Sequence, residues 1–303
     1  MSARDAMQPQ HCLGYAAPMQ LAFTKMHGLG NDFIVFEADS AAQLPTAEQI
    51  RRLAARRTGI GFDQALAVLP PRRGDADAYY RIFNADGSEV EQCGNGARCV
   101  ARFVASRLHR LDEPLLLESS GGMVDARLRP DGLVSVGMGV PDFDPGALPF
   151  EAAREAPVYE IALAAGRVEF GAVSIGNPHV VIRVPSVRDA PVDTIGPALE
   201  NHPRFPRRVN VGFLEIVAPD RVRLRVFERG AGETLACGTG ACAAVAVGRR
   251  HGPLSEEVTV ELPGGRLLVR WPGQGQQIWL TGPAETVFEG RAEFAGSPPK
   301  GEP

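Results

Sequence analysis

Two short stretches of this chain hold the residue types best suited to chemistry. Residues 92–99 read QCGNGARC and residues 236–242 read ACGTGAC. In each, a cysteine (Cys93 or Cys237) stands directly before a glycine-rich turn and a helix-like run. A helix start carries unpaired backbone N–H groups and a partial positive charge, which favour a thiolate or a bound anion. Glycine allows the close backbone approach that such a cradle needs. A single CGxG is equally well explained as a small residue at a tight helix entry. Two copies in matching surroundings argue for a shared task.

Three kinds of chemistry use paired thiols. Cys93-x5-Cys99 and Cys237-x4-Cys242 lack structural zinc spacing, so no metal is expected. A redox dithiol lacks its C-x-x-C. Opposed acid–base work remains. One thiolate removes a proton from a carbon next to a carboxylate, and one thiol returns a proton from the other face, inverting the centre. The helix starts would stabilise the developing enediolate. Both thiols are then expected to have a lowered pKa, and to join as a disulfide under mild oxidant when the cleft is empty. Cys99 and Cys242 are expected to point into the core as small hydrophobes. Racemases that use pyridoxal phosphate need a Schiff-base lysine. The chain has two lysines, and Lys25 sits in the strand-like FTKMHG while Lys300 lies in the tail. A cofactor-free route is expected.

The elements that position these turns repeat. Cys237 follows Cys93 by 144 residues, and the same offset brings Arg81 to Arg225, Phe83 to Phe227, Asn84 to Glu228 and Glu89 to Glu233. An offset of 146 brings Asn31 of GLGND to Asn177 of IGNPH. This pattern predicts duplication of one α/β unit. The run GTGACAAVAVG (238–248) is uncharged and apolar all round, which predicts a helix buried on every side. Short strands around such a helix imply a sheet wrapped about it in each half. Thr46 should cap a short helix in TAEQIRRLAARRTG. Strands are expected over most of 20–38, at 78–83 and through 114–139, with one helix near 193–201.

Bulk properties exclude several classes. The chain of 303 residues has a formal net charge of −4, so nothing basic points to nucleic acid as a partner. There is no apolar run long enough for a membrane span. Five cysteines, an odd number, without an export signal fit reduced thiols in a cytoplasm. Residues 1–18 read as an extension, with Met19 as an alternative start, and 295–303 as a disordered tail.

The motifs KMHGLGNDF, GFDQ, FNADGSEVEQCGNGARC, GNPH, VNVGF and ERGAGETLACGTGACAAVAVG closely resemble those of the diaminopimelate epimerase family, over about residues 20 to 290. The resemblance implies interconversion of LL- and meso-2,6-diaminopimelate without a cofactor, in lysine and peptidoglycan-precursor biosynthesis. It implies an α+β fold of two pseudo-symmetric domains, each a curled, barrel-like mixed sheet around a central helix, with the active site in the cleft between them. The first domain would take 19–138 plus about 283–294, the second 139–282. Cys93 and Cys237 would be the acid–base pair, Cys237 taking the proton in the LL-to-meso direction, supported by His179 and Glu228. Gly94, Asn95, Gly238 and Thr239 would hold the reacting carboxylate at the helix starts. Asn31, Gln64 and Asn84 would bind substrate from one side; Asn177, Asn210, Glu228 and Arg229 from the other. A homodimer is implied, although Phe288 stands where the family often has a tyrosine linked to dimer contacts. A proline or hydroxyproline racemase of the same fold, or a non-catalytic thiol protein that binds a ligand, stays open.

Overall fold

The computed structural model describes residues 19–294 apart from 165 and 251. The expected extension and tail lie outside these residues. The first half runs β1 (Met19–Gly28), β2 (Asn31–Glu37), α1 (Ala47–Ala54), β3 (Gln64–Leu69), β4 (Ala78–Asn84), β5 (Glu89–Val90), α2 (Gly94–Leu108), β6 (Leu115–Ser119), β7 (Gly122–Leu128) and β8 (Val134–Gly137). The second runs β9 (Tyr159–Leu163), β10 (Gly166–Ser174), β11 (Pro178–Arg183), α3 (Val192–Glu200), β12 (Asn210–Ala218), β13 (Arg221–Glu228), β14 (Gly232–Thr234), α4 (Gly238–Arg250), β15 (Glu257–Leu262), β16 (Gly265–Arg270) and β17 (Trp279–Gly282). The last strand, β18 (Glu285–Phe294), returns to pair antiparallel with β1.

Strand pairing follows the same rule in both halves. β1–β2 is antiparallel, β2–β3 parallel, β3–β4 antiparallel and β4–β6 parallel, followed by antiparallel β6–β7–β8. The second half repeats this as β10–β11, β11–β12, β12–β13, β13–β15 and β15–β16–β17. Strand β8 pairs with β17, so one mixed sheet runs through the whole molecule. The ion pairs repeat as well: Arg81 meets Glu89 at 2.5 Å and Arg225 meets Glu233 at 2.6 Å. The duplication inferred from spacing is thus present in topology and in side-chain contacts. The barrel-like expectation needs correction. The sheet does not close, because β18 and β9 each pair on one side only among the described residues.

Each half wraps its strands around one helix. Helix α4 is buried at every position from Gly238 to Gly248, as its uncharged composition requires. Cys99 and Cys242 are fully buried, as expected of core thiols. Strand and helix approach closely: a Cβ on Gly171 would sit 2.4 Å from Val247, so only glycine fits beneath α4. Helix α1 starts with the expected Thr46 cap, which accepts from Gln49 N while Gln49 Oε1 accepts from Thr46 N.

A charged cluster braces the start of β2. The Lys25 ammonium meets Asp32 at 2.5 Å and donates to the Gly61 carbonyl, while Arg56 bridges Asp32 (2.8 Å) and Asp63 (2.7 Å). Burial alone would raise the Asp32 pKa, but hydrogen bonds from Arg56 and Lys25 outweigh it and hold the carboxyl at about 2. A depressed folded-state pKa contributes stability above the unfolded value and loses it as pH falls through the folded one. Asp32→Asn should therefore lower stability at neutral pH by about 2 kcal/mol. The deficit should shrink as pH drops from about 4 to 2. Urea unfolding of both proteins across that range measures it; a deficit independent of pH would contradict the assignment.

Candidate active site

The starts of α2 and α4 meet head to head. A Cβ on Gly238 would lie 3.4 Å from the Gly94 Cα, an ordinary contact, and 2.9 Å from Leu280, while one on Gly94 would lie 3.0 Å from Leu280 and 3.2 Å from Met138, so a side chain at either glycine would crowd the apolar side chains packed against the junction. A cavity of 840 Å³ opens at this junction, with Cys93 and Cys237 in its wall. The expected carboxylate cradle, Gly94, Asn95, Gly238 and Thr239, lines it. So do Asn31, Gln64 and Asn84 from one half, and Asn177, Asn210, Glu228 and Arg229 from the other. His179 is the expected site residue that does not line it.

Each thiol caps its own helix. Cys93 Sγ accepts from Gly96 N at 3.3 Å, and Cys237 Sγ from Gly240 N at 3.4 Å. The expected lowering of the thiol pKa is nevertheless reversed. Burial pushes Cys93 up to about 11, even though the Gly96 N–H and the nearby Arg98 pull the other way. Burial pushes Cys237, only 3% exposed, well above the ordinary thiol range, and the adjacent Glu228 carboxylate pushes it further. Desolvation of a thiolate in this pocket outweighs the pull of a helix start. Both cysteines are free. As protonated thiols they are slow to form the disulfide expected between them, since exchange and oxidation run through the thiolate. Burial likewise raises Cys99 and Cys242 to about 12, which suits inert core thiols.

A proton acceptor stands ready for one thiol. Cys237 Sγ donates to Glu228 Oε2 at 3.0 Å, and the Thr234 hydroxyl donates to Glu228 Oε1 at 2.5 Å. The carboxylate is therefore held from both sides, with one oxygen on the thiol. His179 sits behind the wall, 1% exposed, with its Nε2 2.9 Å from Asn177 Oδ1. Burial first, and then Arg229, drop its pKa to about 3, so the ring is neutral at physiological pH. It holds Asn177, whose Nδ2 donates to Thr239 Oγ1 at 3.3 Å.

The far wall mixes free and engaged amides. Gln64 Nε2 donates to Asn84 Oδ1 at 2.9 Å, while Gln64 Oε1 is buried without a partner among the described residues. That carbonyl suits an incoming ammonium. Asn210 lines the cavity, but its side chain is engaged with backbone: Nδ2 donates to Pro178 O and Oδ1 accepts from Arg229 N, both at 2.9 Å. The Arg229 guanidinium donates to Arg207 O at the exposed rim, where it can meet a carboxylate. Asp63, Gln92 and Thr234 also line the cavity without having been singled out from sequence. Asp63 and Thr234 stand inside motifs read for their neighbours; only their hydrogen bonds to Asn31 and Glu228 reveal them.

Two stretches of the chain, 23–143 and 171–287, match the family model described as diaminopimelate epimerase. The chain belongs to the diaminopimelate epimerase family. It is 55% identical over 274 residues to the diaminopimelate epimerase of Alkalilimnicola ehrlichii, covering 90% of this chain and 98% of that one. It is 54% identical over 276 residues to that of Pseudomonas aeruginosa, covering 91% and 100%. Among solved structures, a hydroxyproline epimerase from Agrobacterium vitis superposes with a TM-score of 0.67 at 17% identity, over 91% of this chain and 93% of that chain. A predicted epimerase from Pseudomonas aeruginosa gives 0.62 at 18%, over 91% and 100%. These two establish a shared fold. The match to diaminopimelate epimerases spans both cysteine turns and every cavity-lining residue named above.

The raised thiols set a pH signature for the empty enzyme. Alkylation of Cys93 by iodoacetamide should be slow at pH 7 and should rise with pH toward about 11. Peptide mass spectrometry on timed aliquots measures it, and a plateau already reached near neutrality would contradict burial as the ruling effect.

Proposed function

We propose that this protein is a cofactor-independent epimerase that interconverts LL- and meso-2,6-diaminopimelate by two-thiol acid–base chemistry. The observation that carries the reading is the pair of cysteines capping two abutting helix starts on one cavity. In the LL-to-meso direction, Glu228 accepts the Cys237 proton and the resulting thiolate takes the Cα proton of the substrate. The Cys93 thiol then delivers its proton to the opposite face. Backbone N–H groups at Gly94, Asn95, Gly238 and Thr239 hold the reacting carboxylate and stabilise the enediolate. Gln64, a cavity-lining residue whose Oε1 has no partner among the described residues, reads an ammonium, and Arg229 at the rim reads the distal carboxylate. This reach across a large polar cavity favours a diamino-diacid over proline or hydroxyproline, and proton abstraction over mere binding. Lys25 is tied to Asp32 and is absent from the cavity wall, so it is not offered to a pyridoxal group.

The same reading divides the chain into an N-terminal domain of 19–138 with 283–294 and a C-terminal domain of 139–282, with the substrate between them. It places the enzyme in lysine biosynthesis in the cytoplasm. No described helix is long and apolar enough to cross a membrane. The outer edge of β18, without a partner strand among the described residues, favours a homodimer, because an open edge bearing exposed Val287 (56%) and Phe288 (47%) calls for cover.

A coupled assay with LL-diaminopimelate in deuterated water tests the chemistry. Cys93→Ala and Cys237→Ala should each lose on the order of 10²- to 10⁴-fold in turnover. Cys99→Ala and Cys242→Ala should chiefly lower the melting temperature. Normal turnover by Cys237→Ala would sink the mechanism. For the assembly, light scattering should give twice the chain mass for the wild type and a shift toward monomer for Phe288→Glu; a monomeric wild type would refute the dimer.

A further inference from the structure

Arg98 lies in the first turns of α2 and is 0% exposed. Its guanidinium makes three hydrogen bonds: Nε to Pro283 O (3.2 Å), Nη1 to Gly94 O (3.2 Å) and Nη2 to Asn95 Oδ1 (2.9 Å). No carboxylate pairs with it among the described residues. Burial lowers its pKa, yet an arginine stays charged in a protein. A buried cation without a counter-anion is costly to keep. The fold does not demand it: the 144-residue offset that relates the two cysteines brings Arg98 onto Cys242, an equally buried thiol. The slot is also built around it. A Cβ on Gly28 would lie 3.2 Å from Arg98 Nη2, and one on Gly282 would lie 3.2 Å from Nε.

The hydrogen bonds show what the arginine does. A guanidinium only donates, so Asn95 must turn its carbonyl oxygen toward Arg98. Its amide Nδ2 then faces the other way and donates to Asn31 Oδ1 and to Ala236 O, each at 3.3 Å. The second of these bonds crosses to the residue before Cys237. Asn31 in turn presents Oδ1 to Asn95 and to Cys93 Sγ (3.9 Å), and sends Nδ2 to Asp63 Oδ2 (2.9 Å). Every donor and acceptor in this chain runs in one direction, from the cation at Arg98 to the carboxylate at Asp63.

We propose that Arg98 is a positioning residue for the epimerisation: through its fixed fork it sets which way the Asn95 and Asn31 amides point, and so which of their atoms face the substrate and Cys93. The inference rests on the proposed function, because it assigns those two amides to the substrate. Lysine at 98 keeps the charge but presents a point donor, leaving Asn95 free to turn over.

The test uses the full-length chain, with kcat and KM for LL-diaminopimelate, Cys93 alkylation rates and thermal melts. Arg98→Lys should melt cooperatively and lose on the order of 10²-fold in kcat, with KM moving less. Gly28→Ala keeps the arginine and displaces its fork by tenths of an ångström; it should lose about tenfold in kcat with little change in melting temperature. A purely structural arginine would change the melts and leave kcat alone. Wild-type kcat in folded Arg98→Lys overturns the proposal. If that variant does not fold, wild-type kcat in Gly28→Ala overturns it instead. A wild type that does not epimerise LL-diaminopimelate rejects the proposed function itself. The Cys93 alkylation rate then still reads the amide arrangement: a changed rate in either variant supports the role of Arg98, and an unchanged one in both removes it.

Discussion

The closeness of two helix starts governs this structure. Gly94 and Gly238 come together across the junction, and a side chain at either would press on Leu280, which packs against both. Two partial positive charges thereby face one small volume. Such an arrangement is electrostatically unfavourable when empty and favourable once an anion sits there. The surrounding sheet, the seam between β8 and β17, and the packing of Leu280 and Met138 against Gly94 all hold the two starts in this position.

That constraint explains why the thiols behave as they do. Burial keeps water away from the two sulfurs, and the same burial penalises the thiolate. The site meets the conflict with local acceptors and donors instead of with exposure. Glu228, held by Thr234, offers Cys237 a base within its own pocket, and the N–H of Gly96 and of Gly240 stabilise whichever sulfur is ionised.

Much of this was legible in sequence, for reasons that can be named. The offset of 144 residues worked because duplication preserves strand order, and so Arg81–Glu89 and Arg225–Glu233 form the same ion pair twice. The apolar run after Gly238 declared a central helix because no face of it could tolerate water. The sign of the thiol shifts was misread, since spacing shows a helix start but not the depth at which it is buried. The placement of His179 behind Asn177 is decided by tertiary packing, which the GNPH motif does not carry. Arg98 and Thr234 escaped notice because their roles are defined by partners distant in sequence, such as Pro283, or by an oxygen on a neighbouring side chain. The open sheet was also out of reach, as edge pairing is decided only when both ends of the chain are placed.

The return of β18 to β1 has a consequence for how the protein is made. The strand beside which β1 completes its pairing is the last of the described strands to be made, and Pro283, whose carbonyl receives Arg98, just precedes it. During synthesis the first half therefore exists with one edge bare and its guanidinium slot open. The nascent chain can gather α2 and its strands early, but the second pairing of β1 and the bond from Arg98 to Pro283 wait for residues 283–294. Contacts spanning nearly the whole length slow that last step and expose an edge to neighbours meanwhile. A truncated chain ending before residue 283 would keep both cysteines and still lack the carbonyl that receives Arg98 and the strand that pairs with β1.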